Sequence, residues 1–378
     1  MDKLLEFYNK PIYFLSLDLN LFGGTKYLTD LFLATKGLSK IIAIRYLKNK
    51  GVYENPFMSK NDYMIKDASY LSLERLPFGD TLSMFVNRLL LKSLDKDFVE
   101  FLNRNDHIVH YAFPNVRPPS LSETHVVTIH DLMAFDYSID ISFLNRKNWQ
   151  YNIMLCKKFP HIITPTEYVK KQAERMGIFD GEITAIHHAV SPYFRPLGRD
   201  KKELRKELGL PVDKTLVLSV SIAAPRKNLK VVKEAVEKLG ADYVLVRVGP
   251  PVGNSITFNN VMPEVLNAIY NASDVMLFPT LAEGFGMPAV EAMSTGLPLV
   301  TSDIEVMREV CGDSAVFIEP TVEGAVKGVR EALAVSEDLK RRGLEKAKEY
   351  SFDVFKQRYL SYYSKILPEA LKPLIRSN

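Results

Sequence analysis

The sequence has very few cysteines and lacks long apolar runs, and each shortage excludes a class of protein. Its two cysteines, Cys156 and Cys311, lie far apart in the chain and do not form the C-x-x-C spacing of a zinc or redox site. No stretch reaches the roughly 18 to 20 apolar residues that a membrane-spanning helix needs. The sequence therefore argues against a disulfide scaffold, a cysteine zinc site and an integral membrane protein.

A large excess of charge of one sign is also missing. The 378 residues carry 49 Lys and Arg against 45 Asp and Glu, which gives a net charge of +4. Binding to a nucleic acid backbone normally requires a dense basic surface, so we expect no nucleic acid partner. The segment after Met1 has neither the basic start nor the continuous apolar stretch of a secretory signal, so we expect a cytoplasmic protein.

Short β-branched segments alternate with longer helical patterns along the whole chain, which is typical of parallel sheets covered by helices. The strands predicted in the first half are 12–17, 40–46, 107–111, 124–129, 161–164 and 182–186. Those predicted in the second half are 215–223, 243–249, 274–279, 297–301 and 315–318. A segment rich in Pro and charge separates the two halves. We therefore predict an α/β fold with two doubly wound Rossmann-like domains, residues 1–196 and 197–350, facing each other across a cleft.

The most informative segment covers residues 278–298 and reads FPTLAEGFGMPAVEAMSTGLP, directly after a predicted strand. Pro288 suits the start of a helix of about two turns, so the amides of residues 284–287 lie at a helix N-terminus, where anions bind. Two carboxylates, Glu283 and Glu291, lie eight residues apart, one before this helix and one within it. The pattern favours a diol-binding pair at a phosphate site.

Glu283 and Glu291, with Gly284-Phe285-Gly286 between them, resemble the E-x7-E motif of retaining family 4 glycosyltransferases, which have the GT-B fold. The letters EAMSTGLP, and later SD at 302–303 and EVCGDSA at 309–315, are also similar to that family. The resemblance implies that Glu283 holds hydroxyls of the donor sugar and that Glu291 binds the ribose diol. It also implies a C-terminal helix, 351–378, that returns to the first domain. The donor-binding residues expected from the resemblance are Gly284, Phe285, Gly286, Met287, Glu291, Val261 and Gly249.

Two of these residues, Val261 and Gly249, come from less specific segments. Val261 lies in a segment that resembles the strand and helix beside the nucleobase in the family, and Gly249 begins a loop that can line the same pocket. A plain connection between a strand and a helix explains both segments nearly as well.

Two adjacent cations, Arg226 and Lys227, follow the first strand predicted for the second domain. Such a pair can neutralise the charge that develops on the β-phosphate when a nucleoside diphosphate leaves. It is similar to the Arg and Lys pair of the same family, which holds the donor pyrophosphate and usually needs no divalent ion. The resemblance implies that Arg226, Lys227 and Glu283 are catalytic and that neither a metal nor a separate cofactor is required. A solvated pair at a helix start is the alternative.

In the first domain, Gly23 and Gly24 follow the first predicted strand, and His130 and Asp131 end a later one. Ligands bind beyond the carboxyl ends of such strands, so we expect these residues at the cleft. His130 resembles the active-site histidine of the family and is included among the catalytic residues. Gly23, Gly24 and Asp131 are expected on the acceptor side. The remaining histidines are interpreted as structural or surface residues: His107, His110, His125, His161, His187 and His188.

These observations give the hypothesis of a retaining glycosyltransferase. It moves a hexose from a nucleotide diphosphate sugar, of the GDP-mannose or UDP-glucose type, to a hydroxyl of a glycan or lipid-linked saccharide. A nucleotide-sugar 2-epimerase of similar build and a non-catalytic sugar-nucleotide-binding protein are the alternatives. NAD binding is disfavoured, because the glycines of Gly284-x-Gly286-x-x-Ala289 come several residues after the strand.

Contact with a membrane is a separate question. The segment from Leu82 to Leu102 combines apolar residues with Arg88, Lys92 and Lys96, which fits a basic amphipathic surface helix at the inner face of a membrane. A core helix is the other interpretation, and both stay open.

Overall fold

Two parallel β-sheets, of seven and six strands, organise the chain in the computed structural model. The structure describes residues 9–16, 24–45, 59, 61–67, 96–114 and 120–371. Gly23 and most of the proposed membrane helix, residues 82–95, lie outside the described residues. The described end of that helix packs inward, because Phe98, Phe101 and Leu102 are buried.

The first sheet has the strand order β3-β2-β1-β4-β5-β6-β7. Its strands are β1 (Ile12–Ser16), β2 (Ser39–Arg45), β3 (Tyr63–Asp67), β4 (Ile108–Tyr111), β5 (His125–Thr128), β6 (His161–Thr164) and β7 (Glu182–Ala185). The helices that accompany it are α1 (Gly24–Ala34), α2 (Lys96–Leu102), α3 (Phe143–Met154) and α4 (Glu167–Met176). Every neighbouring pair of strands is parallel, so the carboxyl ends of the strands share one edge.

The second sheet has the order β10-β9-β8-β11-β12-β13 and is also parallel. Its strands are β8 (Thr215–Val220), β9 (Tyr243–Val248), β10 (Ile256–Phe258), β11 (Val275–Phe278), β12 (Leu299–Ser302) and β13 (Val316–Ile318). The helices are α5 (Lys201–Glu207), α6 (Leu229–Leu239), α7 (Pro263–Ala272), α8 (Met287–Thr295), α9 (Glu305–Cys311), α10 (Val322–Ala334) and α11 (Ser336–Ala347). The predicted α/β class with two doubly wound parallel sheets is confirmed.

The predicted strands agree with the observed ones to within two residues, except that β8 ends at Val220 instead of 223. Two strands at the sheet edges were not marked by their residue pattern: β3 was not predicted, and β10 was expected only from the resemblance of its segment. The letters of β3 are YMIKD and β10 has three residues, so neither forms the continuous apolar run of a strand that is buried on both faces.

The last helix, α12 (Phe352–Ile366), returns to the first domain, as the resemblance implied. The hydroxyl of Tyr359 lies 2.6 Å from that of Tyr27 on α1. The hydroxyl of Tyr363 lies 2.6 Å from Nδ1 of His110 on β4. Buried hydroxyl groups need such partners, so the aromatic face of α12 both fills the first domain's core and satisfies its polar groups.

Candidate active site

The centre of the candidate site is a buried cluster of two cations and one carboxylate. β8 leads into a short 3-10 turn, Pro225–Lys227, and its neighbour β11 leads into the loop that carries Glu283. Glu283 Oε1 accepts a hydrogen bond from Lys227 Nζ and lies 3.1 Å from a terminal nitrogen of Arg226. The side chains of Lys227 and Glu283 are each 8% exposed. The structure thus brings together the three residues of this domain that the sequence predicted to be catalytic.

The cluster combines two cations with one carboxylate, and neighbouring groups hold them in place. Burial lowers the pKa of Lys227, and Arg226 acts in the same direction, whereas the carboxylate of Glu283 acts in the opposite one. Thr280 Oγ1 donates to the same oxygen of Glu283 at 2.8 Å. Arg226 also donates to the carbonyl of Ala282 at 3.1 Å, which fixes the arginine against the loop. Two fixed cations against one carboxylate form an arrangement that can bind an anion.

The loop after Glu283 is fixed against the first domain. A Cβ on residue 284 would lie 2.0 Å from the carbonyl oxygen of His130, so only glycine fits there. Thr166, just before α4, donates its hydroxyl to the carbonyl of Gly284 at 2.9 Å. Gly286 has φ +92°, and α8 begins at the next residue, Met287. Pro288 is the second residue of that helix, one position after the helix start that the sequence predicted for it.

Glu291 lies on α8 in an environment of its own. Tyr270 donates its hydroxyl to Glu291 Oε2 at 2.8 Å. Burial raises the pKa of Glu291 to about 7, while the hydrogen bond from Tyr270 and the charge of Lys26, on α1, act to lower it. The two glutamates of the motif therefore have different partners: Glu283 is paired with cations, and Glu291 with a neutral phenol.

Next to the loop expected beside the nucleobase, β9 carries a buried arginine, Arg247, that the sequence did not indicate. Gly249 has φ +125°, and a Cβ there would lie 2.1 Å from the carbonyl oxygen of Ser221. Val261 is partly buried in the turn between β10 and α7. Arg247, which is fully buried, donates to oxygens of Ser219 and Ser221 at 2.8 to 3.2 Å. Burial lowers its pKa to about 10.

His130 and Asp131 both lie at the edge of the first sheet that meets the second domain. His130 Nε2 lies 2.9 Å from the carbonyl oxygen of Ala112, and burial lowers the pKa of His130 to about 4. The imidazole is therefore neutral at pH 7. Burial raises the pKa of Asp131, and the charges of Arg226 and Glu283 act on it with opposite signs. Asp131 thus faces the cationic cluster from the first domain. Gly24, the other described residue expected on the acceptor side, is the first residue of α1.

His188, which the sequence analysis interpreted as structural or surface, lies directly beside His130. Its ring lies 4.8 Å from that of Tyr27, 5.2 Å from that of Phe285 and 5.3 Å from that of His130. His188 Nε2 is 3.3 Å from His130 Nδ1. The available signal was its position in the segment that follows the last strand of the first domain, directly before the predicted linker.

None of the helices that the structure describes is both long and apolar enough to cross a bilayer. In the same residues, no group of three or more His, Cys, Asp and Glu side chains is arranged to hold a metal ion.

Comparison with known proteins identifies the second domain. Residues 200–349 match the model of the family described as glycosyl transferases group 1. The O-antigen chain mannosyltransferase RfbU of Salmonella typhimurium is 24% identical over 266 residues, which cover 66% of this chain and 70% of that protein. The O-antigen chain mannosyltransferase B of Escherichia coli is 34% identical over 97 residues, 25% of this chain and only 26% of that protein.

Solved structures match over nearly the whole chain. Sucrose-phosphate synthase from Thermosynechococcus elongatus superposes with a TM-score of 0.73 at 16% identity, covering 96% of this chain and all (100%) of that one. HepE of Anabaena, in complex with UDP and glucose, has a TM-score of 0.70 at 12% identity, covering 94% and 100%. These likenesses establish the GT-B fold. Residues 200–349 therefore belong to the group 1 glycosyltransferases of family 4, and the chain as a whole has the GT-B fold.

Proposed function

We propose that the protein transfers a hexose from a nucleotide diphosphate sugar to a hydroxyl acceptor, with retention of configuration and without a metal ion. The observation that carries the proposal is the buried cluster of Arg226, Lys227 and Glu283 at the edge of the second sheet. The catalytic set also includes His130, and the donor pocket comprises Gly284, Phe285, Gly286, Met287, Glu291, Val261 and Gly249. Gly23, Gly24 and Asp131 lie on the acceptor side in this proposal.

Arg226 and Lys227 act on the leaving group. When the bond between the sugar C1 and the phosphate oxygen breaks, negative charge develops on the β-phosphate, and two fixed cations stabilise it without reorganisation. Phosphate oxygens compete with Glu283 for these cations, so donor binding frees lone pairs of the carboxylate for the hydroxyls of the sugar. Removing one such donor of hydrogen bonds commonly costs about 10² to 10³ in rate.

Retention follows from attack on the face that the phosphate leaves. The acceptor oxygen forms its bond to C1 on that face, and its proton passes to the departing phosphate oxygen. His130 is neutral at pH 7, and its Nε2 is taken by the carbonyl of Ala112, so Nδ1, 3.3 Å from His188 Nε2, is the nitrogen assigned to a sugar hydroxyl. The nucleoside diphosphate itself therefore serves as the base, and no second protein nucleophile is needed.

The donor and the acceptor are proposed from the relatives. Two of them are named O-antigen chain mannosyltransferases, which favours a GDP-mannose type donor and a glycan or lipid-linked saccharide as acceptor. The solved HepE complex contains UDP and glucose, which makes UDP-glucose the second donor to test.

We place the domain boundaries at 1–196, 197–350 and 351–378, and the site of action in the cytoplasm with peripheral contact at the inner face of the membrane.

Product analysis by NMR tests the proposal. The protein is incubated with GDP-mannose or UDP-glucose, EDTA and a panel of saccharide acceptors, as wild type, Lys227→Ala and Lys230→Ala. Lys230 is a matched control because it is 82% exposed and lies three residues away. We expect a product with the anomeric configuration of the donor sugar, lost in Lys227→Ala and kept in Lys230→Ala. An isomeric nucleotide sugar formed without acceptor would establish the epimerase instead.

The membrane contact needs its own test. Flotation with liposomes that contain anionic lipid, compared between wild type and Phe85→Ala, distinguishes the surface helix from the core helix. Flotation that is lost in Phe85→Ala supports the contact, and the absence of flotation in wild type refutes it.

A further inference from the structure

A carboxylate of the second domain holds the start of a helix in the first domain. Glu309, on α9, accepts hydrogen bonds from the backbone amides of Glu167 and Tyr168, each at 2.8 Å. These amides belong to the first turn of α4, where backbone donors have no partner within the helix. The partial positive charge at a helix N-terminus also favours a negative group there. The contact therefore joins the two domains by two charge-assisted hydrogen bonds.

Two further side chains extend this contact. His187, in the segment after β7, has Nε2 3.0 Å from Glu309 Oε1, and Arg358, on α12, lies 3.2 Å from His187 Nδ1. An arginine can only donate, so Nδ1 of the histidine accepts and Nε2 carries the proton that is donated to Glu309. Burial tends to raise the pKa of Glu309, but the hydrogen bonds from His187 and the two amides bring it below its usual value. Glu309 is therefore ionised at neutral pH.

The same start of α4 also holds the loop between β11 and α8, residues 279–286, which we call the donor loop. Thr166 caps the helix, since its Oγ1 accepts from the amide of Val169 at 3.2 Å, and it donates to the carbonyl of Gly284 at 2.9 Å. Gly284 is next to Glu283, and the carbonyl of His130 leaves no room for a side chain at that position. A shift of the N-terminus of α4 is therefore transmitted to the loop that carries Glu283.

We propose that Glu309 is a positioning residue. It holds the two domains in the relative position in which the donor loop contacts His130. The inference rests on the proposed function, because it concerns the geometry of the same sugar transfer. Glu309 touches neither Arg226 nor Lys227 through any contact that the structure describes, so its effect is transmitted through α4 and Thr166. A small misplacement of reacting groups can cost about 100-fold in rate.

The kinetic test compares Glu309→Ala and Glu309→Gln with Glu305→Gln. Glu305 lies on the same helix, is exposed, and loses the same charge, so it is a matched control. We expect kcat to fall about 10- to 100-fold in Glu309→Ala and less in Glu309→Gln, whose amide oxygen can still accept one hydrogen bond. The Kd of GDP or UDP should change less than about threefold, because the cationic cluster is intact. A merely structural role would lower Tm and leave kcat unchanged at a permissive temperature.

A distance measurement makes the inference independent of activity. Spin labels are placed at Lys171→Cys in the first domain and Lys230→Cys in the second, since both lysines are exposed and both native cysteines are buried. We expect the distribution of distances to broaden in Glu309→Ala and to stay narrow in Glu305→Gln. An unchanged distribution together with an unchanged kcat would overturn the inference. Glu309→Gln provides the same comparison where Glu309→Ala does not fold. A wild type without transferase activity would refute the proposed function alone, because the distances need no donor.

Discussion

The carbonyl oxygen of His130 lies 2.0 Å from the position that a Cβ on Gly284 would occupy. These two residues lie in the loops after β5 and β11, which are strands of different sheets, so the two domains meet at this point with backbone against backbone. Neither group is the flexible end of a side chain that can move aside. The donor loop can therefore approach the edge of the first sheet this closely only because residue 284 has no side chain.

The first prediction concerns that missing methyl group. Gly284→Ala should separate the two backbones, at a cost of about 1 to 3 kcal/mol in the free energy of unfolding, and should reduce kcat for sugar transfer at least tenfold. Gly343→Ala, in α11, is the control, because a Cβ there would meet only Met293 of α8, at 3.4 Å and longer, which is an ordinary contact. Thermal unfolding and initial rates of both variants check the prediction. Normal kinetics in Gly284→Ala would show that the domains do not meet here during catalysis.

The second prediction concerns the carboxylate that neutralises the cations. Glu283→Ala leaves Lys227 buried without its counter-charge, and breaking a buried pair in this way costs about 3 to 5 kcal/mol. The exposed pair of Lys230 and Glu234, 3.9 Å apart, is the comparison, and Glu234→Ala should cost less than about 1 kcal/mol. Denaturant unfolding of the two variants measures the difference. Equal stability of Glu283→Ala and wild type would mean that the cluster is solvated.

The third prediction concerns the effect of pH on Glu291, whose pKa burial raises from 4.5 to about 7. The ionised carboxylate is the better acceptor for a ribose diol, so the affinity for nucleoside diphosphate should increase as the pH rises through about 7. Calorimetric titration between pH 5.5 and pH 8.5, an interval of roughly one and a half units on each side, checks this dependence. Glu291→Gln should bind more weakly and lose that pH dependence.

The raised pKa of Glu291 also predicts that the free energy of unfolding falls as the pH rises, whereas the affinity for nucleotide increases. Between pH 4.5 and about 7 the folded protein keeps a proton on Glu291 that the unfolded chain releases. The free energy of unfolding therefore contains a contribution that is fully present below pH 4.5 and is lost as the pH rises through about 7. Glu291→Gln removes this contribution, so its Tm relative to wild type should increase from pH 4.5 to pH 8, about one unit above the folded pKa. A constant difference in Tm would contradict the raised pKa.

From the sequence one can predict those residues of the candidate site that directly follow a recognisable strand. Arg226, Lys227 and Glu283 each follow a strand that is recognisable by its apolar run, and neighbouring parallel strands deliver their loops to one edge. His188 and Glu309 were not predicted, because their partners belong to the other domain or to distant segments, and no spacing in the sequence records such contacts.

Arg247 was missed for a related reason. It lies inside an otherwise apolar strand, and its hydrogen-bond partners, Ser219 and Ser221, are on the neighbouring strand and the loop after it. Only the register between β8 and β9 brings them together. The edge strands β3 and β10 escaped prediction from their residue pattern because one is short and the other carries charges, so hydrophobic periodicity does not mark them.

Calorimetric titration of GDP and UDP, in EDTA, into wild type, Lys227→Ala and Lys230→Ala shows whether the cationic cluster holds the leaving group. One nucleoside diphosphate should bind without metal, and Lys230→Ala should bind it as wild type does. Lys227→Ala should weaken binding at least about tenfold, which is about 1.4 kcal/mol. Binding that requires a divalent ion, equal affinity of Lys227→Ala and wild type, or no binding of either nucleotide would contradict the proposed function.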